Sequence, residues 1–73
     1  MTSLVDIEVG VPVRVVGVQG QDEITWRLLE MGLTPGVQVV LIGSSLFGDP
    51  LELDIRGYRL SIRRSEAARV EVN

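Results

Sequence analysis

The chain contains no cysteine and no histidine, and these absences remove most of the chemistry a small domain can carry. Without cysteine there is no disulfide, no thiolate nucleophile and no iron–sulfur ligand. Without histidine the common zinc and haem ligand sets and the usual nucleophile–base pairs cannot be assembled. Carboxylates are the remaining candidate ligands. Glu52 and Asp54 share one strand face, but they lack calcium-loop spacing and read better as an exposed face paired with Arg63. Lysine is missing too: seven Arg face ten acidic residues, for a net charge of −3, the wrong sign for a general nucleic-acid binder. No glycine pair is followed by the Lys-Ser/Thr of a phosphate-binding loop. The longest apolar stretch, Val37 to Ile42, is broken by Gln38 and far too short to span a bilayer. No basic segment followed by an apolar run marks a signal peptide. The expectation is a cytoplasmic binding protein, not an enzyme, with no cofactor, no metal site and no membrane insertion of its own.

What the chain does have is aliphatic bulk. Hydrophobic residues make up 45% of 73 positions, with one Phe, one Tyr and one Trp. A chain of this length forms one domain, residues 1–73, and buries only about 60% of its unfolded surface. Val13 to Val18 is β-branched and predicts a strand, with Gly17 at a bulge or close backbone contact. The period then changes. Ile24, Leu28 and Met31 recur at helical spacing, widened by Leu29, behind Asp22 and Glu23, and Gly32 and Pro35 stop the helix, which runs from Asp22 to Met31. Thr34-Pro35-Gly36 predicts a type II turn, and Val37 to Ile42 the next strand. Gly43 to Pro50 reads as a breaker-rich loop. Leu51 to Arg56 and Arg59 to Arg64 predict a hairpin around Gly57-Tyr58. That turn sets Ile55 opposite Leu60 and Leu53 opposite Ile62 inside, with Asp54 against Ser61 and Glu52 against Arg63 outside. Ser65 to Arg69 reads as a capped single turn, and Val70 to Val72 as a last short strand. The fold class is all-β: about five short strands with one short inserted helix, a small, partly open barrel rather than a sandwich.

Some apolar residues fall outside this core scheme. Trp26 lies off the Ile24–Leu28–Met31 stripe, Leu46 and Phe47 sit in the breaker-rich loop, and Tyr58 falls in the hairpin turn. Exposed apolar groups of this kind mark docking surfaces.

The run Arg27-Leu28-Leu29-Glu30-Met31-Gly32-Leu33-Thr34-Pro35-Gly36, followed by Val37 and Val39, resembles the signature of the FeoA family. So do Gly48-Asp49-Pro50, Ile55 to Arg63, Glu66-Ala67 and the opening Leu4-Val5-Asp6-Ile7 with Gly10. The ordered set covers nearly the whole chain. The resemblance implies an SH3-like barrel and a cytosolic accessory role in bacterial ferrous iron uptake. It also implies a partner, the membrane transporter FeoB with its cytosolic G-protein domain. The family's role does not require the small protein to bind iron. The same domain occurs fused to metal-dependent repressors; the expectation here is a barrel without a DNA-binding segment before it. The resemblance carries a docking role onto Leu28, Leu29 and Met31, which join Trp26, Leu46, Phe47 and Tyr58 as the candidate partner-binding set. Two positions depart from the pattern: Leu46-Phe47 stands where Pro-Leu is common, and Val9 replaces a Pro before Gly10. The alternatives are a nucleic-acid-binding barrel using Arg56, Arg59 and Arg63, and a self-associating module that forms a homodimer.

Overall fold

The computed structural model describes residues 2–73. Six strands form one antiparallel sheet: β1 Thr2–Ser3, β2 Pro12–Val18, β3 Gln38–Ser44, β4 Leu51–Ile55, β5 Tyr58–Ile62 and β6 Val70–Val72. Their spatial order is β1-β6-β2-β3-β4-β5. Helix α1 spans Glu23–Glu30, a short helix α2 spans Arg64–Ala67, and 3-10 turns cover Leu4–Asp6 and Leu46–Gly48. β1 and β5 are the sheet edges and do not pair with one another among the described residues, so the barrel stays open. The sixth strand comes from the opening segment: Thr2 and Ser3 pair with Val72 and Glu71.

Two bulges let so short a sheet coil around a core. The β2–β6 register passes from Val15↔Val72 to Gly17↔Glu71, and the β3–β4 register from Leu41↔Leu53 to Gly43↔Glu52. Val16 and Ile42 are the residues left over, and each is followed by glycine. An extra residue bends its strand and sharpens the twist. Gly43 therefore continues β3 to Ser44 instead of opening the loop. Inside lie Leu4, Leu28, Leu33, Val39, Leu53, Ile55 and Val70, all fully buried. Each buried aliphatic side chain of this size contributes about 1.5–3 kcal/mol.

Helix α1 has both of its ends specified by local sequence. Asp22 is the N-cap, its carboxylate accepting from the Thr25 N–H at 3.2 Å. At the other end the Gly32 N–H donates to the Leu29 carbonyl and the Leu33 N–H to the Leu28 carbonyl. With Gly32 at φ 107°, this is a Schellman stop, and Leu28 and Leu33 on either side of it are both buried in the core. The Thr34–Val37 turn closes through a 3.1 Å bond from the Val37 N–H to the Thr34 carbonyl, with Gly36 at φ 90°.

The β4–β5 hairpin differs from the expected register. The turn residues are Arg56-Gly57, and the pairs are Ile55↔Tyr58, Asp54↔Arg59, Leu53↔Leu60, Glu52↔Ser61 and Leu51↔Ile62. Moving the turn by one residue shifts every partner by two, so parity is kept and the apolar residues still face inward. Hydrophobic pairing therefore cannot separate the two registers, but charge and turn geometry can. The observed one replaces an Arg56/Arg59 like-charge pair with Asp54 opposite Arg59. It also brings the Asp54 carboxylate to accept from the Gly57 N–H at 3.1 Å. Arg56 and Gly57 both have positive φ, 53° and 89°, as a type I′ turn requires. Tyr58 thus begins a strand rather than forming the turn. Glu52 lies 4.0 Å from Arg59, not against Arg63, and Arg63 leaves the ladder to cap α2.

A candidate protein-docking surface

The Ser45–Pro50 connection is held at several points. The Ser45 N–H donates to the Pro50 carbonyl at 3.0 Å and the Gly48 N–H to the Ser45 carbonyl at 2.9 Å. From α2, the Arg64 N–H donates to the Asp49 carboxylate at 2.9 Å and Arg64 Nε to the Gly48 carbonyl at 3.1 Å. The Asp49–Pro50 peptide is cis. On this pinned frame Leu46 is 80% and Phe47 96% exposed. Phe47 also has φ 72°, a left-handed conformation that costs a non-glycine residue about 1–2 kcal/mol. Neither the exposure nor the conformation serves the core. Beside the loop lies an open cleft of about 310 Å³ lined by Asp49, Pro50 and Arg63.

Of the helical candidates, Trp26 is 59% exposed, while Leu28 is completely buried. Leu28 therefore presents no surface to a partner, which corrects its inclusion in the docking set: its position on the inner stripe commits it to the core. Leu29 and Met31 are half-buried, and Met31 packs against the core from its edge. Tyr58 acts as a strut: its hydroxyl donates to the Met31 carbonyl at 2.7 Å, tying the hairpin to the helix C-terminus. The hydroxyl sits where a Cβ on Gly32 would have to go, so glycine is needed there for space as well as for φ.

Two ion pairs join α1 to the end of the chain. Arg27 pairs with Glu66, a buried carboxylate that also accepts from the Arg63 N–H at 2.9 Å. With Arg64 holding the loop, α2 bridges helix and loop. Asp22 accepts from Arg69 Nη1 at 2.6 Å. That hydrogen bond, reinforced by the Thr25 N–H, holds the Asp22 carboxyl down at about 2, below its ordinary 3.8.

Sequence reading missed a further group of exposed aliphatic residues. Val9, Val11, Val16 and Ile42 are all exposed. The Gly10 N–H donates to the Leu41 carbonyl at 2.9 Å, which ties residues 9–11 to β3. The signal was the doublets Val15-Val16 and Leu41-Ile42, of which a period-two strand can bury only one member. On the arginine strand, Arg59 lies opposite Asp54 and reaches toward Glu52. Among the described residues no three His, Cys, Asp or Glu side chains converge to hold a metal ion, and no helix is long and apolar enough to cross a membrane.

An open six-stranded barrel with two short helices and a pinned apolar loop belongs to the class of small SH3-like modules. Residues 2–73 match the family model described as the FeoA domain, and the chain belongs to that family. It is 32% identical over 69 residues to the Fe(2+) transport protein A/Fe(2+) transporter FeoB fusion protein of Porphyromonas gingivalis, matching 94% of this chain but only 8% of that protein. Among solved structures it is similar to iron(II) transport protein A of Clostridium thermocellum, with TM-score 0.91, 28% identity, and coverage of 99% of this chain and 44% of the other. It is also similar to the zinc-complexed FeoA of Stenotrophomonas maltophilia, with TM-score 0.88, 30% identity, and coverage of 100% and 91%. That protein is described as a prokaryotic SH3 domain protein and put forward as an activating factor of ferrous iron transport.

Proposed function

We propose that this domain is a cytoplasmic, non-enzymatic accessory protein of ferrous iron transport, which docks on the cytosolic G-protein domain of a FeoB transporter and modulates it. Iron in this reading is the transporter's cargo, not a resident ligand of the domain. The observation that carries the reading is the Leu46-Phe47 pair, almost fully exposed on a frame fixed by four hydrogen bonds. A preorganised apolar projection of this kind binds without the entropic cost of ordering a loop. The Porphyromonas relative supports the partner, since it carries an FeoA-like segment and a FeoB transporter in one chain. Trp26, Leu29, Met31 and Tyr58 are further contacts, the last three through the surface their packing leaves free.

The test is calorimetric titration of the FeoB G domain from the same genome with wild type and with L46S/F47S. The double variant is expected to bind at least tenfold more weakly while its unfolding free energy stays within about 0.5 kcal/mol of wild type, as for other exposed positions. Equal binding by the variant would remove the loop from the interface. No binding by wild type would remove the partner. A GTP hydrolysis assay with intact FeoB then reads the sign of modulation.

A further inference from the structure

Helix α1 presents one outward face on which Trp26 stands between Glu23, three residues before it, and Glu30, four residues after. Residues at these spacings are surface neighbours. Trp26, the single Trp of the chain, is 59% exposed, and both glutamates are exposed and in no ion pair among the described residues. Arg27, the nearest cation in sequence, is committed to Glu66. Glu23 complements the helix dipole in the first turn, but folding does not call for an exposed Trp26 or for Glu30. Ile24 and Leu28 supply the inner stripe, and Glu30 puts a negative charge on the last turn, where the helix dipole disfavours it.

We infer that the Glu23–Trp26–Glu30 face of α1 docks on a protein surface with an apolar pocket rimmed by Arg or Lys, Trp26 entering the pocket and the two carboxylates meeting the rim. This deepens the proposed function and rests on it. The charge of the face selects the occupant. Unpaired carboxylates on either side of an indole draw cations toward it, and an indole face holds a desolvated cation well. Such an arrangement steers association through its charges and holds the complex through its aromatic anchor. The face and the Leu46-Phe47 loop belong to different elements and differ in charge, and the two contacts should therefore fail in different ways.

The experiment measures binding of the full chain to intact FeoB from the same genome in neutral detergent micelles, at roughly 0.05 and 0.5 M salt. Wild type should bind more weakly at high salt. E23Q/E30Q should lose about tenfold at low salt and show a flattened salt dependence, whereas Trp26→Ala should lose tenfold or more at both salt levels. L46S/F47S should weaken binding while keeping the wild-type salt dependence. Circular dichroism melts establish that each variant is folded. If wild type binds and the loop variant weakens, but the helix variants match wild type at both salts, this inference falls and the proposed function stands. If wild type shows no binding, the proposed function falls and takes the inference with it. If Trp26→Ala instead converts a dimer of the free protein to monomer, the occupant is a second copy and the inference is overturned.

Discussion

Strand β4 is flanked by two connections that use the same backbone device for different ends. The loop before it places Phe47 at φ 72° followed by Gly48 at 83°, and the turn after it places Arg56 at 53° followed by Gly57 at 89°. Phe47 and Arg56 are the non-glycine residues of the described chain with positive φ. In the turn the arrangement is explained by folding. Two left-handed residues match the twist of a tight hairpin, Asp54 holds the Gly57 N–H, and the arginine extends into water. In the loop the same conformation lifts a phenylalanine almost wholly into solvent. A hairpin could be closed without that residue. The contrast teaches where to look for function: strain is uninformative when the geometry of the fold demands it, and informative when the side chain it displays has no use in the folded monomer.

The largest expected effect comes from the strand that both connections share. Leu53 is fully buried between Leu41 and Leu60 in the ladder. Leu53→Ala should cost about 2–5 kcal/mol, seen as a lowered urea midpoint, and it should loosen both connections together. A smaller contrast separates them. Phe47→Gly and Arg56→Gly each relieve about 1–2 kcal/mol of left-handed strain and lose about 0.4–1 kcal/mol through a freer unfolded chain. Both should leave stability equal or slightly raised, while only Phe47→Gly weakens binding to FeoB. A marked loss of stability for Phe47→Gly alone would make the loop residue structural and erase the contrast.

The smallest effect concerns a third connection, between β2 and α1, which is fixed by charge. Asp22 titrates at about 2 in the folded protein because of Arg69 and the Thr25 N–H, against 3.8 ordinarily. A depressed carboxyl stabilises the fold above its unfolded pKa, and this contribution is lost as pH falls toward the folded value. Denaturation midpoints should therefore drop between about pH 4 and pH 2. Asp22→Asn should start lower at neutral pH and fall less across that window.

Much of the fold was legible because local signals agreed. Asp22 and Gly32 bracket α1, Thr34-Pro35-Gly36 marks its turn, and the Leu51-Leu53-Ile55 alternation sets the inner face of β4. The hairpin register escaped because two registers bury the same side chains, and the deciding term was the pairing of Arg59 with Asp54. Gly43 read as a breaker because a bulge glycine and a loop glycine look alike in one dimension. The exposure of Leu46, Phe47 and Trp26 was legible as a misfit to the periodic pattern. The burial of Leu28 followed from that same pattern, and assigning it a docking role meant setting the stripe aside. The Arg27–Glu66 pair could not be read, since it joins residues 39 apart in sequence.

The order in which the strands appear has a consequence for how the molecule comes into being. β2, β3, β4 and β5 are neighbours in sequence as well as in space, so this meander can assemble as it is synthesised. β1 cannot join it then, because its place is against β6, which inserts between β1 and β2 and comes later in the chain than any other strand. Until Val70–Val72 arrive, the opening residues have no partner and the β2 flank of the meander lies bare. Closing this most distant contact carries the largest loop-closure cost in the sheet. The interval before closure, with Val15 and Leu4 uncovered, is when the nascent domain is most open to mispairing.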